Sequence, residues 1–178
     1  MHENNRRWLT DLRAQFPAAF SGARVLEIGA KIWEPAPHDS IREFFEGGTY
    51  VGVDREFGEG VDLVVEANAT AFREGEFDTL AMFSLFEHDP DWRGTLTHNL
   101  RWLRPGGLFL TCFGAEGNLP HLMRWQIVPH REFLDFCGTL PLRVLDAFFE
   151  EARYGQDCRG AYDVVAEKLP ADIIDDGR

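Results

Sequence analysis

Residues 24 to 54 constrain this chain most: RVLEIGAKIWEPAPHDSIREFFEGGTYVGVD. An apolar run, Val25 to Ile28, ends in Gly29, and a second, Tyr50 to Val53, ends at Asp54; the strands read as Arg24 to Ile28 and Thr49 to Val53. Two apolar runs joined by a stretch of this length read as parallel strands with a crossover, since antiparallel neighbours can close through a short turn. In an open α/β sheet such a unit puts a glycine turn after the first strand and an acid where a ribose meets the second. The unit therefore reads as the holder of an adenosine-bearing cofactor. Its turn has one glycine, with Ala30 and Ile32 in the sites after Gly29.

The rest of the chain extends this pattern. Residues 3 to 16 carry Trp8, Leu12 and Phe16 at helical spacing with Leu9 beside them, which predicts an amphipathic helix covering one edge of the sheet. A lid over the cofactor is the sharper alternative. Ser40 and Glu43 have capping-box spacing, so a helix is predicted from near Ser40 to the stop at Gly47 and Gly48. Val61 to Val65 is a third apolar run. Phe77 to Phe83 is a fourth, apolar almost throughout, as a strand buried on both faces should be. Asp89 and Pro90 read as N-cap and first residue of a helix that buries Trp92, Leu96, Leu100 and Leu103 and leaves His98 exposed. Arg101 and Arg104 suit its C-terminus. After Pro105, Gly106 and Gly107 comes a fifth strand, Leu108 to Phe113, and residues 114 to 129 read as a loop over a pocket. His130 to Cys137 reads as a short helix. Leu142 to Phe149 and Ala161 to Glu167 read as an antiparallel hairpin with no helix between its strands.

Strands alternating with helices predict an α/β sheet with helices on both faces, and ligands in such sheets bind beyond the carboxyl ends of the strands. At 178 residues the chain reads as one domain, with an N-terminal helix at 1–20, a core at 21–170 and a tail at 171–178. A net charge of −12 with only Lys31 and Lys168 as lysines argues against nucleic acid and anionic membrane surfaces as partners. No apolar run is long enough to span a bilayer, and the polar N-terminus does not read as a signal peptide. Cys112, Cys137 and Cys158 have no CxxC spacing and read as reduced thiols of a cytoplasmic protein, with Cys112 and Cys137 in the core. His2, His38, His98 and His130 lack metal-ligand spacing, so no metal is expected. Ser84 has no GxSxG context for hydrolase chemistry.

The segments RVLEIGA, YVGVD, FDTLAMFSLFEHDPDW and LRWLRPGGLFL, in this order and spacing, resemble the class I S-adenosylmethionine-dependent methyltransferases, and most closely the small bacterial group called type 11. The resemblance covers roughly Ala23 to Phe113 in specific motifs and the rest in outline. It implies a Rossmann-like, mostly parallel seven-stranded sheet with helices on both faces and its last strand antiparallel, in keeping with the late hairpin. It also implies S-adenosyl-L-methionine as cofactor and a small-molecule or glycan acceptor, methylated on O or N.

The resemblance carries roles to matching positions. Glu27, Gly29 and Ala30 fall in the turn facing the methionine part of the cofactor, and Asp54 matches the acid that bonds the ribose hydroxyls. Glu66, Ala67 and Asn68 resemble the adenine edge, and Phe83 and Ser84 the strand end beside the methionine. Glu87 and His88 look like the acid–histidine pair near the transferred methyl, candidates for the catalytic residues. His121, Arg124 and Trp125 offer an aromatic face with a cation nearby for an acceptor. Each also has a plainer reading: a strand-end acid, a loop-capping histidine, a loop packing its own apolar groups. Two alternatives to a methyltransferase stand beside it. One is a degenerate relative with a binding or regulatory role. The other is an NAD(P)-dependent oxidoreductase, which lacks GxGxxG and a Tyr-x-x-x-Lys pair here.

Overall fold

A computed structural model describes residues 3–32, 40–114, 128–154 and 161–170. Its seven strands are β1 (Arg24–Ile28), β2 (Thr49–Asp54), β3 (Leu63–Val64), β4 (Phe77–Phe83), β5 (Leu103–Gly114), β6 (Leu142–Phe149) and β7 (Ala161–Lys168). They form one sheet in the order β3-β2-β1-β4-β5-β7-β6. β1 to β5 run parallel, and β7 is antiparallel to both β5 and β6. This is the expected Rossmann-like architecture, late hairpin included. The helices are α1 (Glu3–Gln15), α2 (Trp92–Leu100), α3 (His130–Cys137) and α4 (Glu150–Tyr154). Among the described residues no helix is long and apolar enough to cross a membrane.

Strand alternation divides the core into two layers. Leu80 and Met82 of β4, Phe109 and Phe113 of β5, and Tyr162, Val164 and Ala166 of β7 join Trp92, Leu96 and Leu100 of α2 and Phe133 and Cys137 of α3. The residues between them, Ala81, Leu108, Leu110, Cys112 and Val165, face Trp8, Leu9 and Leu12 of α1 together with Phe20, Ile41 and Phe44. Burying Trp8, Leu9 and Leu12 contributes about 1.5–3 kcal/mol each, as an upper bound. Thus α1 covers a face of the central strands, not an edge, because its stripe needs the broad floor that β4, β5 and β7 supply. Trp8 reaches the carboxyl end of β4, with its ring 5.9 Å from that of Phe83 and 6.1 Å from Phe148.

Four local expectations are corrected. Among the described residues of the crossover between β1 and β2, Ile41–Phe44 forms a 3-10 turn instead of a helix running to Gly47. Ser40 Oγ accepts from the Arg42 amide at 3.1 Å, while Glu43 pairs with Arg6 instead of closing a capping box. The chain cannot coil further because Glu46 is drawn into backbone pairing with Phe20 and Gly22, and the Phe45 ring stacks on Phe20 at 4.7 Å. Second, α2 starts at Trp92, capped by Asp91; Asp89 and Pro90 precede it because Phe86–His88 forms its own 3-10 turn. Leu103 belongs to β5, pairing with Phe77, and Arg104 bonds Asp78. Third, His98 is half-buried, its Nε2 2.8 Å from the Thr70 carbonyl oxygen. Fourth, α4 follows directly on β6, so the late strands do have a short helix between them.

Candidate functional site

The strand order reverses direction between β1 and β4, which opens a crevice at their carboxyl ends. Gly29, Asp54 and Ser84 follow or close β1, β2 and β4, and Gly114 closes β5, so the parallel strands deliver all four to one side of the sheet. Gly29 sits at φ +84, a conformation that favours glycine. The amides of Gly29 and Ala30 both donate to the Val53 carbonyl, at 2.8 and 3.0 Å. Asp54 is half-buried at the end of β2; its Oδ2 accepts from the Lys31 amide at 3.1 Å and its Oδ1 from the Glu56 amide at 3.0 Å.

The loop after β2 folds back onto this turn. The Ile32 amide donates to the Glu59 carbonyl at 2.9 Å. Three glycines face the turn's side chains. A Cβ on Gly52 would lie 2.9 Å from Ala30 Cβ, one on Gly58 2.9 Å from Lys31 Cγ, and one on Gly60 3.3 Å from Ile32 Cγ1. The small residues absent from the turn thus stand opposite it.

Glu27 lies on β1 behind the turn and is buried. The Tyr50 hydroxyl, on β2, donates to Glu27 Oε2 at 2.6 Å. Burial pushes the Glu27 carboxyl up from 4.5 to about 7, and nearby Asp54 and Asp62 add to the rise; the Tyr50 hydrogen bond and Arg42 pull it back. Burial, with Glu27 next to it, also holds the Tyr50 hydroxyl well above its ordinary range. Arg42 covers the Tyr50 ring, 4.6 Å from its centroid, and pairs with Asp62.

At the end of β4, Phe83 is half-buried and Ser84 exposed. Ser84 has φ 49, the sole left-handed non-glycine among the described residues, and its amide donates to the Cys112 carbonyl at 2.7 Å. Such backbone strain concentrates at functional sites. Glu87 follows in the 3-10 turn and is buried. Its Oε1 accepts from the Gly114 amide at 3.3 Å, and its Oε2 has no hydrogen-bond partner among the described residues. His88 is half-buried in the same turn. On the far side of Asp54, Glu66 and Asn68 are exposed around the half-buried Ala67.

A family model for a methyltransferase domain matches residues 1–152. The chain belongs to the methyltransferase domain family. Its enzyme class is that of an S-adenosylmethionine-dependent methyltransferase, and the oxidoreductase alternative is displaced. Solved structures agree in fold. One is a Burkholderia thailandensis 1,6-didemethyltoxoflavin-N1-methyltransferase holding 1,6-didemethyltoxoflavin and S-adenosylhomocysteine, 19% identical, matching 94% of this chain and 79% of that one with a TM-score of 0.69. Another is a Mesorhizobium loti S-adenosylmethionine-dependent methyltransferase, 14% identical over 89% of this chain and 96% of that one, TM-score 0.63. A third is a Haloferax volcanii complex of the Trm112 methyltransferase activator with a methyltransferase, 15% identical over 94% and 92%, TM-score 0.64. No protein of curated function matches the sequence.

In this methyltransferase, Glu27, Gly29, Ala30, Asp54, Phe83, Ser84, Glu87 and His88 gather at the strand ends, with Glu66, Ala67 and Asn68 beyond Asp54. The acceptor candidates His121, Arg124 and Trp125 lie outside the described residues. Sequence reading missed Tyr50, taken only as one apolar residue of a strand. It also missed Asn99, whose buried side chain donates to the Ala67 carbonyl at 2.8 Å. A signal for Asn99 existed: it is a polar residue seven positions after Trp92, on the helix face meant for the core.

Proposed function

We propose that the protein transfers the methyl group of S-adenosylmethionine to an O or N atom of a small molecule or glycan, and that it belongs with the small bacterial type 11 group. The convergence of Gly29, Asp54, Ser84 and Glu87 at the switch point, in a chain of this family, carries the reading. The donor set fits the cofactor. Each Asp54 oxygen accepts one backbone amide and keeps a lone pair for a ribose hydroxyl.

When bound, the cofactor supplies a methyl group on a sulfonium, an excellent leaving group. The chain's work is then positioning and water exclusion. The Gly29–Ala30 turn faces the methionine part, Asp54 the ribose, and Glu66, Ala67 and Asn68 the adenine edge. Phe83 and Ser84 border the methionine. Glu87, fixed through Gly114, offers Oε2 to orient a donor hydroxyl or amine of the acceptor, and His88 stands beside it to take up the released proton. His121, Arg124 and Trp125 are proposed to contact the acceptor, and the chain to work as one domain in the cytoplasm.

Calorimetry with S-adenosylhomocysteine tests this. Binding in the micromolar range is expected, and Asp54→Ala should weaken it about 100-fold, since hydrogen bonds to a charged group are the strong ones. No binding at millimolar ligand would refute the assignment. One observation favours a second reading, a binding protein without turnover: both turn amides are already bonded to Val53. Transfer of a labelled methyl group to any acceptor would exclude it.

A further inference from the structure

We propose that Asn99 is a positioning residue for adenine recognition, acting through the loop at 66–70; this rests on the cofactor reading above. The loop lies beside the ribose acid, because the Val65 amide donates to the Asp54 carbonyl at 2.9 Å. Its next residues, Glu66 and Asn68, face outward and can accept from an exocyclic amine. Glu66, the residue before the Ala67–Ala69 turn, makes no capping bond with its side chain, and Thr70 Oγ1 lies 3.5 Å from the Ala67 carbonyl oxygen. The shorter bonds that hold the turn come from α2 and the residues just after it.

Asn99 is fully buried. Its Nδ2 donates to the Ala67 carbonyl at 2.8 Å and to the Thr95 carbonyl at 2.9 Å. Its Oδ1 accepts from Thr70 Oγ1 at 2.8 Å, and that oxygen accepts from Trp102 Nε1 at 3.0 Å. These bonds fix the amide's orientation: both of its hydrogens meet carbonyl oxygens. His98 Nε2 lies 2.8 Å from the Thr70 carbonyl oxygen and ties down the loop's other end. The loop is thus pinned to the ribose acid at Val65 and to α2 at Ala67 and Thr70. A buried polar network whose members are satisfied rigidifies the segments it joins and specifies one geometry. Here it fixes the backbone between the two side chains that meet the base.

The test compares S-adenosylhomocysteine with its deaminated analogue, S-inosyl-homocysteine, which has a carbonyl where the exocyclic amine was. Wild type should prefer the adenine ligand by about tenfold, the value of one well-placed hydrogen bond. Asn99→Ala and the isosteric Thr70→Val should bring that ratio to near one, while Thr70→Ser, which keeps the hydroxyl, should restore it. A merely structural loss would weaken both ligands equally and leave the ratio unchanged. Wild-type binding with a ratio that Thr70→Val does not alter would overturn this inference alone. Absence of wild-type binding to S-adenosylhomocysteine would overturn the cofactor reading, and this inference with it. If Asn99→Ala does not fold, Thr70→Val decides, since it conserves volume.

Discussion

Replacing Glu27 by glutamine should remove a pH dependence of stability that the wild type carries. The carboxyl rises from 4.5 in the unfolded chain to about 7 in the fold because it is buried. Below pH 4.5 both states hold the proton and the contribution is fully present. Between 4.5 and 7 the unfolded chain loses its proton while the fold keeps it, so stability falls as pH rises, levelling off above 7. The full span is worth about 3 kcal/mol at about 1.4 kcal/mol per pH unit. Glutamine has the shape of the protonated acid and can still accept from the Tyr50 hydroxyl. Its amide must find a new partner, which offsets the variant by a constant. The informative quantity is therefore the gap between Glu27→Gln and wild type as a function of pH. That gap should move by about 2–3 kcal/mol in the variant's favour from pH 5 to pH 8. With a urea slope of about 2 kcal/mol/M, midpoints should separate by about 1 M over that range. Urea titrations at pH 5, 6, 7 and 8 measure it. Parallel curves for the two proteins would refute the burial argument.

Other outcomes follow from single positions. Gly52→Ala would place a Cβ 2.2 Å from the Gly60 carbonyl oxygen, whereas at Gly22 (φ +71) nothing lies within 4 Å. Thermal melting should show Gly52→Ala costing about 3 kcal/mol or more by overpacking. Gly22→Ala should cost only the left-handed strain, about 1–2 kcal/mol; equal losses would contradict the close approach. Burial pushes the Cys137 thiol up to about 12, so at pH 8 a thiol reagent should leave Cys137 unlabelled in native protein and label it in denaturant, as read by peptide mass.

The elements that were legible in sequence have both ends marked by local chemistry. β4 is bounded as expected at Phe77 and Phe83 because its run is apolar almost throughout and buried from both faces. α3 lies between Pro129 and Gly138. Where a local signal met a tertiary competitor, the competitor won. Ser40 began a helical turn, but Glu46 paired with Phe20 and Gly22 and ended it. At α2 the cap expected at Asp89 fell to Asp91, because the turn at Phe86–His88 lies immediately before Asp89. The site divides the same way. Gly29 and Asp54 were legible because strand ends announce them. The Tyr50–Glu27 and Asn99–Ala67 contacts depend on which strands are neighbours and in what register, and no spacing along the chain encodes that.

The Gly29 turn shows the same logic at its most consequential point. Counted along the motif, the turn is short of glycines, and Lys31 and Ile32 are bulky. Counted across the contact, it is not, because Gly52, Gly58 and Gly60 receive Ala30, Lys31 and Ile32. A turn of this kind needs clearance between two backbones, and either partner can supply it. Gly60 at φ +88 brings its own backbone within reach of the Ala30 carbonyl, where a Cβ would stand 2.4 Å from that oxygen. The side chains after Gly29 are thereby directed toward the β2–β3 loop, while Gly29 itself stays next to Leu85 and the end of β4. The bulk of the side chains after Gly29 is accordingly taken up on the side of the turn facing that loop, and the side facing the crevice keeps Gly29.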